Sequence, residues 1–176
     1  MLKLKSAAAL AIVAFSAPIA NAQAAVMGPD VAACAASARH SAALVIVDGF
    51  KNREGTVRVR AFPANSPDLF RKEGQIDRVA MPVPAHGKAA ICVPLPGPGA
   101  YAFDVRHDAN DNGDTDKADG GGFSGNPKVT FWQVVSKTRP PVKDAAIAIG
   151  NGVTTVPIIL NYMQGLSVGP VRTAAR

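Results

Sequence analysis

Tyr101-Ala102-Phe103-Asp104-Val105-Arg106-His107 is the stretch on which the fold turns. Large apolar residues alternate with small or charged ones. In a strand, successive side chains point to opposite faces, so a strict period of two makes one face dry and one wet. Tyr101, Phe103 and Val105 then point inward, and Asp104 and Arg106 point outward. Upstream, Pro96-Gly97-Pro98-Gly99 is a firm break. Residues 56–62 repeat the pattern, with Val57, Val59 and Ala61 on one side and Arg58 and Arg60 on the other. Residues 43–47, 76–82 and 88–95 are further short apolar runs bounded by turn residues.

Downstream, a polar Gly/Asp-rich loop occupies residues 108–127. Residues 128–136 then read as a strand. Residues 145–149 and 153–160 read as a hairpin closed by Asn151-Gly152. Pro157 lacks a donor for the ladder, which places that last strand at an edge or a bulge. Seven or eight short strands, with no long stretch of helical periodicity, predict an all-β antiparallel β-sandwich. A chain of 176 residues fits one such domain.

The first residues stand apart. Lys3 and Lys5 precede an apolar run over residues 7–15, and Ala20-Asn21-Ala22 follows. Basic start, short apolar middle and Ala-x-Ala end read as a secretory signal peptide, cleaved after Ala22 or, as the rival site, after Ala24. The run is shorter than the roughly 20 residues a spanning helix needs. The expected organisation is signal peptide 1–22, N-terminal lead-in 23–41, sandwich 42–162 and C-terminal tail 163–176. The destination is the periplasm or the exterior, with no membrane span after cleavage.

Without Lys3 and Lys5, 17 basic residues face 13 acidic ones, a net charge of +4. The basic residues are scattered, with one loose grouping at Arg58, Arg60, Arg71 and Lys72. That is not the basic, aromatic-interleaved patch of a nucleic-acid reader. Cys34 and Cys92 are the only cysteines. An oxidising compartment favours a disulfide between them; the other state is one buried and one exposed thiol. Their spacing is not that of a redox catalyst.

The segment with chemistry runs from Asp108 to Asp119. Its core is D-x-N-x-N-G, the opening of a calcium loop. Asp108, Asn110 and Asn112 take positions one, three and five, and Gly113 takes the sharp turn at six. Asp114 supplies a backbone carbonyl at seven. Asp116 stands at nine and Asp119 at twelve, where a helix-flanked loop carries Glu. Alternate side chains in a tight loop can converge to give calcium its six to eight oxygens. The plainer reading is a solvated polar hairpin. His40, His86 and His107 have no metal-site spacing. The Gly122–Asn126 stretch fails the nucleophile-elbow pattern, because Asn126 stands where Gly is required.

The order of these blocks resembles the bacterial family called domain of unknown function 2141. The matching pieces are residues 55–59, 99–105 and 107–113, then Asp116 and residues 122–124. They fall within residues 42–160. This chain has only residues 117–121 where the family tends to carry a G-x-P-x-E segment, so its loop is shortened. The resemblance implies export and a sandwich, immunoglobulin-like or prealbumin-like, and supplies no reaction.

Three functions are compatible with these features. The first is a non-enzymatic exported binding or accessory module, stabilised by calcium in the loop. The alternative is a carbohydrate- or envelope-binding domain using an exposed aromatic, Trp132 or Tyr162, with the loop as rim; its partner would be an envelope glycan or protein. The last is a hydrolase with Asp108 and His107 as acid and base, for which a Gly-rich loop is a poor platform.

Overall fold

The structure, a computed structural model, describes residues 24–171. The expected signal peptide, residues 1–22, and the last five residues lie outside the described part. The fold is an all-β sandwich. Its strands are β1 (Val26–Met27), β2 (Ala42–Asp48), β3 (Thr56–Pro63), β4 (Asp77–Pro82), β5 (Ala89–Pro94), β6 (Gly99–Asp108), β7 (Gly120–Phe123), β8 (Ile147–Ile149), β9 (Val153–Ile159), β10 (Asn161–Gln164) and β11 (Ser167–Gly169). One sheet has the order β1-β5-β2-β9. The other runs β11-β10-β7-β6-β3-β4, with β8 also pairing with β6.

The predicted alternation sets the packing. Ala43, Val45 and Val47 of β2, Val57 and Val59 of β3, Tyr101, Phe103 and Val105 of β6 and Val156 and Ile158 of β9 form one buried core between the sheets. Burying a Val, Ile or Phe side chain contributes about 1.5–3 kcal/mol, so these residues outweigh any single polar contact. A smaller apolar cluster lies on the outer face of the larger sheet. There Phe62 and Ala102 are covered by Phe70 and Ala145. Phe70 holds a left-handed backbone at φ 63°, at a cost of about 1–2 kcal/mol. Its ring packs edge-on against Phe62 and Phe123.

Several elements differ from the sequence reading. The smaller sheet is mixed, since β9 runs parallel to β2 and β1 parallel to β5. Asn151-Gly152 closes no hairpin: β8 pairs with β6 and β9 with β2, so the turn carries the chain from one sheet to the other. Gly152 supplies the left-handed turn at φ 84°, and long-range pairing chooses the partners. Residues 128–136 are not a strand. They contain a helical turn, α1 (Phe131–Val135), with a capping box between Thr130 and Gln133. That Thr-x-x-Gln signature is visible in the sequence. A second turn, α2 (Val142–Ala145), follows. Pro157 does lie on an edge strand, β9.

The sheets also extend beyond residues 42–162. Within the lead-in, β1 pairs with β5 and a 3-10 turn covers Val31–Cys34. Within the tail, β10 pairs with β11. Cys34 is bonded to Cys92, which fastens that 3-10 turn to β5. Among the described residues no helix is long and apolar enough to cross a membrane.

The disulfide closes a sequence separation of 58 residues, for which the chain-entropy model gives about 4 kcal/mol. The Cys34→Ser/Cys92→Ser variant is therefore expected to unfold at much lower urea than the oxidised protein. Coincident urea curves would remove the bond's stabilising role.

Candidate functional site at the end of strand β6

Strand β6 delivers His107 and Asp108 to the rim of the sandwich on opposite faces. The following loop folds back over the outer face of the larger sheet. Asp108 is 3 % exposed and Asp119 7 %, whereas Asn110, Asn112, Asp114 and Asp116 are exposed. The loop is organised by Asp108. Its Oδ2 accepts the Gly113 N–H at 3.0 Å, which ties positions one and six together. The same oxygen accepts from Arg106 Nη2 at 2.6 Å. Its Oδ1 is buried and has no hydrogen-bond partner.

Arg106 is the residue the sequence reading missed. It lies two residues before Asp108, and so on the same face of β6. Its guanidinium also donates to the Gly113 carbonyl at 2.9 Å and to Thr115 Oγ1 at 2.8 Å. Its Nε lies 3.9 Å from Asp119 Oδ2. A side-chain cation thus gathers the loop's oxygens. Alternation along β6 was the signal that could have found it.

A second group forms around Asp116. Its Oδ2 accepts from Asn110 Nδ2 and from Asn112 Nδ2, each at 2.9 Å. The Ala118 N–H donates to Oδ1 at 2.7 Å. The Asn110 amide, the Ala118 N–H and the Asn112 amide hold this carboxyl below its ordinary range. Asp119 goes the other way. Burial pushes its carboxyl up and Asp108 adds to that, against donors at Ala109 and Asp116. Asp114 is brought to neither group; its N–H bonds Asn112 Oδ1 at 2.9 Å. Among the described residues no three His, Cys, Asp or Glu side chains converge to hold a metal ion by themselves. Any such site here needs the asparagine and backbone oxygens as well.

His107 is fully buried and belongs to the scaffold. Its Nε2 lies 2.9 Å from the Glu54 carbonyl and its Nδ1 2.6 Å from the Tyr162 hydroxyl. A carbonyl only accepts, so Nε2 carries the proton and, in the neutral ring, Tyr162 donates to Nδ1. Tyr162 Oη also accepts the Lys51 N–H at 3.1 Å. Burial pushes the Tyr162 hydroxyl up to about 12. Tyr162 is 3 % exposed and is not the exposed aromatic that the sequence admitted. Gly120 makes room for its ring, since a Cβ there would meet it at 2.4 Å. Gly55 is needed for close approach: at φ +71° its Cβ would lie 1.9 Å from the Asp108 carbonyl. Ser124 is buried too, accepting the Phe103 N–H and donating to the Ala145 carbonyl. Trp132, on α1, is 75 % exposed.

Over residues 45–157 the chain matches the family described as "Uncharacterized protein conserved in bacteria (DUF2141)", and it belongs to that family. No curated protein and no solved structure matches it.

His107→Ala leaves the Glu54 carbonyl and the Tyr162 hydroxyl without a partner and opens a void, an expected loss of about 3 kcal/mol. In a double-mutant cycle with Tyr162→Phe the losses should be less than additive. Urea unfolding measures both. A His107→Ala variant within about 1 kcal/mol of wild type would remove its role as a strut.

Proposed function

We propose that this member of the DUF2141 family is an exported, non-enzymatic β-sandwich module whose β6–β7 loop takes up calcium. One observation carries the metal reading. The Asp108 carboxylate is buried at the first position of a D-x-N-x-N-G loop, and its Oδ1 has no donor. Leaving such an oxygen unpaired costs about 1–3 kcal/mol, which a cation would offset. The loop holds five carboxylates, Asp108, Asp111, Asp114, Asp116 and Asp119, and among the described residues only Arg106 forms an ion pair with any of them. Asp108, Asn110, Asn112 and Asp116 would hold the ion, with the Asp114 carbonyl, and Asp119 would close the far side. The donor set is hard oxygen throughout, which suits calcium. When bound, calcium supplies no reaction; it cross-links a loop to a strand.

The Cys34–Cys92 bond supports export, because disulfides persist in oxidising compartments. The non-enzymatic reading is supported by the fates of the candidate groups. His107 is locked between Glu54 and Tyr162, and Ser124 between Phe103 and Ala145. Both side chains are fully buried.

Trp132 favours a second reading, glycan or envelope binding. A 75 % exposed indole is a platform on which a sugar ring can stack. It stands on α1 beside Phe131.

Calcium at a hundred times its dissociation constant adds about 2.7 kcal/mol to native stability, or about 5 °C or more in Tm. Asp108→Asn should abolish the shift. Arg106→Met should lower metal-free Tm and tighten calcium binding, because it removes the competing cation. An unchanged melt at millimolar calcium would refute the metal claim. For the second reading, envelope polysaccharide should quench the fluorescence of Trp132, the single tryptophan. A flat titration would dismiss it.

A further inference from the structure

The outer face of the larger sheet carries four arginines from three strands. Cross-strand register sets Arg58 of β3 opposite Arg106 of β6, and Arg60 of β3 between Arg78 of β4 and Asp104 of β6. Two of the four have partners. Arg60 grips Asp104 through both Nε and Nη2, and Arg106 holds Asp108. Among the described residues, Arg58 and Arg78 make no ion pair and no side-chain hydrogen bond.

Arg58 is the anomaly. It is half-buried, and its Nε, like that of Arg106, is shut off from solvent without an acceptor, but unlike Arg106 it has no ion-pair partner among the described residues. Directly opposite it stands another arginine, and like charges across a strand pair destabilise a sheet. Burial, and then Arg106 and Arg60, push its guanidinium down to about 10. Asp104, the only acid to oppose that, is already taken by Arg60. A solvated surface arginine would swing clear of such a place.

The row through Arg58 reads Ala80, Arg58, Arg106, Gly121 across four strands. The paired arginines are thus flanked by residues with almost no side chain. Within the sheet no large side chain abuts the pair, while the 108–119 loop covers the Arg106 side.

We propose that this face is a phosphate-binding site, with Arg58 as the principal ligand, Arg78 as the second and Arg106 at its margin. Two unpaired guanidinium groups present two positive charges. A phosphate group at neutral pH carries about −1.5 to −2, whereas one carboxylate carries half of that. Arginine's planar fork suits bidentate binding to phosphate oxygens. The Arg58 Nε, stranded in the free protein, gains an acceptor in the complex. Arg106 also holds Asp108 of the neighbouring loop, so the site is tested without divalent ions.

The test uses the processed protein in chelator, so that no divalent ion contributes. Inorganic phosphate is compared with chloride at matched ionic strength. Phosphate should raise Tm by about 5 °C at saturation, and the phosphorus resonance should broaden on adding protein. Arg58→Met should lose the shift yet melt no lower than wild type in phosphate-free buffer, since a binding arginine without its ligand is a burden to the fold. Arg58→Lys should keep less than half of it, and Arg139→Met, on the 136–141 link and outside the arginine-bearing strands, all of it. Should Arg58→Met fail to fold, the exposed Arg78→Met carries the test, with at least half of the shift lost. Capture on phosphatidylglycerol vesicles, displaced by phosphate and lost in Arg58→Met, would assign the site to a lipid headgroup. A response to free phosphate without capture would assign it to a soluble phosphate. An equal shift in chloride, or an undiminished one in Arg58→Met, would overturn the proposal.

Discussion

Burying Tyr101, Phe103 and Val105 between the two sheets forces Asp104, Arg106 and Asp108 onto the other face of the same strand. The rest of the molecule follows from that division. Three neighbours, β3, β7 and β8, pair with β6, so its dry face anchors the core and its charged face has nowhere to turn. The charges must find partners in place. Asp104 finds Arg60, and Arg106 finds Asp108 and the loop. The charged face is therefore half-sheltered, and ionic contacts there are screened less than on an open surface.

The apolar pattern made the sandwich readable. Val57, Val59 and Ala61 alternate with arginines, and a two-residue period has only one way to bury them. Partner choice was not readable in the same way. Asn151-Gly152 carries a hairpin's turn chemistry, yet its flanking strands join different sheets. Turn residues report local backbone; which edge a strand joins depends on which distant edge is vacant. Residues 128–136 went astray for another reason. Their apolar content suggested a strand, while the Thr130–Gln133 cap, a local signal, decided for a helical turn.

The loop was legible as a motif and not as a site. D-x-N-x-N-G marked the sharp turn at Gly113, where the structure ties the Gly113 N–H to Asp108, because that turn is built from neighbours in sequence. It could not foretell Arg106 within the loop. It could not show that His107, beside Asp108, points to the opposite side and braces Tyr162. Adjacent residues on a strand look to opposite faces, so two neighbouring polar groups serve unrelated ends. The loose basic grouping at Arg58 and Arg60 shows the same limit. Spacing along the chain says nothing of Arg78 and Arg106, which reach that face from other strands.

The parallel pairing of β2 with β9 has a kinetic consequence. Ala42 meets Val153 and Asp48 meets Ile159, so the earliest long strand waits for one of the latest. Contacts between such remote parts of a chain slow folding, because the whole intervening segment must be closed into a loop before the pairing repays it. Until β9 arrives, one side of β2 is an unpaired edge with Ala43, Val45 and Val47 beside it, open to any passing strand. A nascent or C-terminally clipped chain would spend that interval prone to self-association, and Pro157, placed on the edge strand once it docks, then discourages further strand addition there.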